Sequence, residues 1–121
     1  MIISCYSDLH GTLPNVVKSD LVLVLGDCIG HNPRGQAVGN SSDFEWQIKH
    51  LFGKFLPWCK SFDCPVVFIF GNHDLMGDRL LTGHLWHHKS VEVITEMHED
   101  IAGTNVHYLN RSGIELCGKK I

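Results

Sequence analysis

Apolar residues in this chain fall into short unbroken runs and longer helical stripes, separated by polar segments rich in turn formers. Three runs, at residues 1–5, 21–25 and 66–70, are apolar apart from Ser4, the pattern of buried parallel strands. From Ser42 the period changes. Ser42 and Glu45 have capping-box spacing, and Phe44, Ile48, Leu51, Phe52, Phe55, Leu56 and Cys59 recur on one helical face. Pro57 is expected to kink or end that helix. A second helix is predicted over 90–101, with Val91, Ile94, Met97, His98 and Ile101 on one side and Gly103 as its stop. Residues 105–109 and 114–116, joined by Asn110-Arg111-Ser112-Gly113, read as a β-hairpin. Residues 30–41, with Pro33, Gly35, Gly39 and Asn40, read as a loop. The alternation of strands and helices, without repeats or linkers, predicts one α/β domain over 1–121.

Each of the three strands is followed by a short polar motif: Asp8-Leu9-His10-Gly11, Gly26-Asp27-Cys28-Ile29-Gly30 and Gly71-Asn72-His73-Asp74. Ligands in an open α/β sheet gather just past the carboxyl ends of the strands. Asp8, His10, Asp27, Asn72, His73 and Asp74 are therefore expected to converge, although they are spread over half the sequence. Their donor types, anionic oxygen, carbonyl oxygen and imidazole nitrogen, suit Mn, Fe or Zn better than an all-oxygen Ca or Mg cage. Asp27, on the middle strand, is placed to bridge two ions roughly 3.5 to 4 Å apart. Charge makes such a bridge necessary. At an effective dielectric of about 20, two unit charges at about 4 Å repel by about 4 kcal/mol, and two dications by roughly four times that.

The ordered set Asp-x-His, Gly-Asp-x-x-Gly and Gly-Asn-His-Asp resembles the calcineurin-like metallophosphoesterase superfamily, and the stretches Val106-His107-Tyr108-Leu109 and Ser112-Gly113-Ile114-Glu115-Leu116 resemble its small single-domain subgroup. The resemblance implies the first half of a metallophosphoesterase αββα sandwich, in which two mixed sheets pack face to face with helices outside. It implies a metal-dependent phosphoesterase that hydrolyses phosphomonoesters or phosphodiesters through a metal-bound hydroxide. By the same resemblance, Asp8 and His10 hold the first metal, Asp27 bridges and Asn72 holds the second. His73 is the general acid, and Asp74 accepts a hydrogen bond from it. The family takes further histidine ligands from a later strand and a Gly-His-x-His motif, and neither follows Gly118. The expectation is thus a domain truncated at its C-terminus, with one of the two divalent ions well held. A hairpin face is left for a protein partner or a missing segment to cover. A chain so reduced is expected to be nearly inactive towards phosphodiesters.

Composition narrows the picture further. At 121 residues, 44% hydrophobic and 19% charged, the chain fits one folded domain. A net charge of -3 argues against general nucleic-acid binding. No apolar run approaches the roughly 20 residues of a membrane helix, and the N-terminus lacks signal-peptide character, so a cytoplasmic location is expected. The five cysteines include no C-x-x-C pair and suit a reducing compartment as small buried hydrophobes. Cys28, beside Asp27, has a thiolate-ligand reading as a minor alternative.

The remaining histidines and arginines have competing readings. His31 and Arg34, in the loop at the mouth of the site, are candidates for contact with a substrate phosphate, as is Arg79; solvated surface groups are the plainer reading. His84, His87 and His88 read as a polar surface loop, with replacement of missing ligands or a substrate-loop role as alternatives. His50, His98 and His107 read as structural. Two function classes stay open: a phosphoesterase, and a catalytically incomplete fragment that keeps the fold and binds a metal or a protein partner.

Overall fold

The apolar runs build a parallel sheet whose strands all deliver their carboxyl ends to one edge. The computed structural model describes residues 1–30, 41–71, 74–75, 88–110, 112–116 and 118–121. Strands β1 (Ile3–Tyr6), β2 (Leu21–Leu25), β3 (Val66–Ile69) and β4 (Val106–Tyr108) form one sheet in the order β1-β2-β3-β4, every neighbour parallel. The pairing register aligns Tyr6, Val24, Phe68 and Tyr108 in one row and Ser4, Val22, Val66 and Val106 in the next. This face is the packed one. Helix α1 (Ser41–His50), a π-turn (Leu51–Phe55) and helix α2 (Leu56–Lys60) lay Leu51, Phe55, Leu56 and Trp58 into the core it shares with Val22, Val24, Val66 and Phe68. The Phe55 ring meets Phe68 at 5.1 Å, and Trp58 meets Tyr6 edge-on at 5.4 Å. Helix α3 (His88–Ile101) adds Val93, Ile94, Met97 and Ile101 to the same core.

Two local expectations are corrected and a third is narrowed. Of the two outcomes expected at Pro57, a kink or an end, the helix does not end there but runs on to Lys60 through an irregular turn. The π-turn just before Pro57 shifts the Leu56 N–H to the Leu51 carbonyl. Proline lacks a donor and crowds the carbonyl four residues back; the widened turn accommodates both. On α3 the buried stripe includes Val93, while Val91 is 45% exposed and His98 is exposed. Two adjacent stripes satisfy the helical period, and the packing selects one of them. Strand β4 does not form a hairpin with the next strand. It joins β3 in parallel, Val66↔Val106 and Phe68↔Tyr108, with its apolar side chains buried at 2% and 9% exposure. The hairpin lies further on, between β5 (Glu115–Leu116) and β6 (Lys119–Lys120), with Gly118 at φ +73° just before β6.

Among the described residues the opposite sheet face is only partly covered: Leu21 and Val67 are buried there at 5% and 3% exposure. Ile3, Leu25 and Ile69 are 49%, 51% and 40% exposed there, and Leu116 and Ile121 of the hairpin segment share a cavity with Met1, Ile3, Leu21 and Leu23. Among the described residues no helix is long and apolar enough to cross a membrane.

Candidate metal centre

Just past β1 and β2 the backbone leaves its ordinary regions. Asp8 has φ +52°, His10 +46° and Asp27 +49°. These are left-handed conformations, uncommon for a residue with a Cβ and persistent only where the surroundings enforce them. The enforcement is visible. The Asp8 N–H donates to the Gly26 carbonyl at 3.2 Å and the His10 N–H to the Asp27 carbonyl at 3.0 Å, so the two turns continue the pairing of their strands. Gly30, at φ +83°, packs so closely that a Cβ there would collide with the His10 carbonyl group and lie 2.8 Å from the Gly11 nitrogen. Gly71, past β3, touches Asp27 in the same way; a methyl group there would strike the Asp27 side chain and backbone nitrogen. The motif glycines are thus required by contact between turns.

The outcome is a cluster in which Asp8, His10 and Asp27 each offer a ligand atom, all within 4.8 Å of one another. The His10 Nε2 lies 3.8 Å from the Asp8 Oδ1, with both side chains exposed, while Asp27 is half-buried. Two carboxylates and one imidazole fit a borderline divalent cation, and the open side leaves room for water or substrate. The calcineurin-like phosphoesterase family model matches residues 2–113. The chain belongs to that family. No curated protein and no solved structure matches it. This family is metal-dependent, and the Asp8, His10 and Asp27 cluster lies where its motifs converge on one edge of the sheet.

Asp74, from the third motif of this phosphoesterase-family chain, is fully buried. Its Oδ2 accepts the Gly71 N–H at 2.8 Å, the Cys28 N–H at 3.2 Å and the Cys28 Sγ–H at 3.4 Å; its Oδ1 accepts the Ile29 N–H at 2.9 Å. Burial and then the adjacent Asp74 drive the Cys28 thiol well above its ordinary pKa, and its Sγ–H is directed at Asp74; the Asp8, His10 and Asp27 cluster does not include it. Tyr108 is pushed up to about 12, first by burial and then by Cys28 and Asp74. Asn72, His73, His31, Arg34, Arg79, His84 and His87 lie outside the described residues. Cys59 and Cys64 are buried as expected, whereas Cys5 is exposed on the partly covered sheet face.

Helix α1 supports this site in a way the motifs do not announce. Gln47, fully buried, donates its amide to the Gly30 carbonyl at 2.8 Å. Trp46 and His50 stack at 5.0 Å with their planes 12° apart, directly against Gly11. A polar residue on an apolar helical face is the signal that points to Gln47.

Proposed function

We propose that this chain is a phosphoesterase acting on phosphomonoesters or phosphodiesters, with Asp8, His10 and Asp27 as its principal metal ligands. The observation that carries the reading is the meeting of those three donors within 4.8 Å on enforced left-handed backbone. The preferred ions are Mn, Fe or Zn, two in the full family site, of which the Asp8, His10 and Asp27 position is the tighter. Asp27 is the shared ligand, and Asn72 serves the second ion. When bound, the ions supply an activated water near neutral pH and neutralise charge on the phosphoryl oxygens. His73 donates a proton to the leaving oxygen, held in orientation by Asp74. His31 and Arg34 contact the substrate phosphate. A second reading, a chain that binds metal or a protein partner without turnover, is favoured by the exposed Ile3, Leu25 and Ile69.

Titration of the purified chain with Mn or Zn, followed by an assay on a nitrophenyl phosphodiester, separates the two. The phosphoesterase reading expects unequal binding steps, the tighter one lost in Asp27→Ala. It also expects a metal-dependent rate that His73→Ala lowers by about 100- to 10,000-fold without loss of metal, the usual worth of a general acid. Metal uptake with no rate above background would establish the non-catalytic reading.

A further inference from the structure

We propose that Asp74 is a positioning residue that sets metal affinity, because its buried carboxylate clamps the Asp27 turn against the end of β3. The proposal rests on the metal-site reading above and goes beyond the orientation of His73. The Asp74 carboxyl oxygens accept four hydrogen bonds from two separate segments. Three come from Cys28 and Ile29, the residues immediately after Asp27. The fourth comes from Gly71, whose backbone lies against the Asp27 side chain. Asp27 sits at φ +49°, a conformation that the chain adopts only while its neighbours impose it. Asp74 fastens the residues on the carboxyl-terminal side of that position. Releasing it frees Asp27 to return to ordinary backbone angles and carries its carboxylate away from Asp8 and His10. Asparagine cannot substitute. Its amide nitrogen would confront an N–H where an acceptor is needed, leaving at least one buried donor unpaired.

The test compares zinc affinity of the full wild-type chain, Asp74→Asn and Met97→Ala by competition with a chromogenic chelator, with binding scaled to the folded fraction. Met97→Ala truncates a buried residue of α3 and reports what general destabilisation does. The expected result is a ten- to hundred-fold loss of zinc affinity in Asp74→Asn, the usual cost of removing a group that orients a ligand. Met97→Ala should bind zinc like the wild type. Unchanged zinc affinity in folded Asp74→Asn, even with turnover lost, overturns the proposal and leaves Asp74 as a partner of His73 alone. A wild-type chain that takes up no zinc removes the underlying metal-site reading, and this inference with it. Amide exchange on the wild-type chain decides the matter if Asp74→Asn does not fold. Zinc should slow exchange of the Cys28, Ile29 and Gly71 amides through the same coupling, and exchange unaffected by zinc overturns the proposal.

Discussion

At the scale of single residues, the chemistry of the site is carried by types that any reading of the motifs exposes, but its geometry is not. Asp8, His10 and Asp27 announce themselves as candidate ligands through their types and their places after strands. Nothing in their identity says that all three stand at positive φ, because that is imposed by neighbouring turns. His50 shows the same limit from the other side. It reads as one more structural histidine, yet its Nε2 is buried without a hydrogen-bond partner among the described residues, beneath the Gly11 turn. Burial first, and Lys54 second, lower its pKa from 6.5. The folded state therefore binds this proton less readily than the unfolded state, so stability from His50 is whole above about pH 6.5 and is lost as pH falls through the depressed value. His50→Phe keeps a ring against Trp46 and removes the proton. Thermal melts of both chains between pH 7.5 and 5 should show the variant gaining on the wild type as pH falls. A difference independent of pH would mean that His50 is not held neutral.

At the scale of elements, β2 was legible to the residue because an unbroken Leu-Val-Leu-Val-Leu run has one sensible use. Strand β4 was found but given the wrong partner. Three residues of strand carry no record of what they pair with, and Asn110-Arg111-Ser112-Gly113 has the composition of a hairpin turn. Pairing with β3 is decided instead by contacts distant in sequence: the Val66 N–H to the Asn105 carbonyl at 2.8 Å, and the Phe68 ring against Tyr108 at 5.1 Å. Asn105 is also the fastening of α2. Its Nδ2 faces the carbonyls of Cys59, Phe62 and Cys64 at 3.2, 3.1 and 2.8 Å, where the helix and the turn after it would otherwise leave acceptors unmatched. Asn105→Ala should therefore cost about 1–3 kcal/mol in denaturant unfolding. Asn105→Asp, which turns a charged acceptor towards three acceptors, should cost more. An alanine variant as stable as the wild type would show that water satisfies those carbonyls equally well.

At the scale of the whole molecule, the α/β class followed from the alternation of apolar runs and helical stripes, and the family followed from motif order. The asymmetry of the sheet did not. Parallel strands read as buried on both faces, but among the described residues the helices pack on one face, and the register places Leu25 beside Ile69 on the other. Leu25 is 51% and Ile69 40% exposed, with Ile3 further along the same face. Contiguous apolar surface of this kind is uncommon on an isolated soluble chain and drives association. The purified chain should consequently self-associate with rising concentration or bind an apolar fluorescent dye. The pair Leu25→Glu and Ile69→Lys should suppress both, because it sets opposite charges side by side across β2 and β3. Since each side chain keeps roughly half of its surface in solvent, the melting temperature should change little. Sedimentation velocity, dye titration and thermal melts on the two chains measure each part. A wild-type chain that stays monomeric and binds no dye would show that the face is covered in solution. A double variant that unfolds would show that Leu25 and Ile69 belong to the core, and the partly covered sheet face would then be the part of the architecture to abandon.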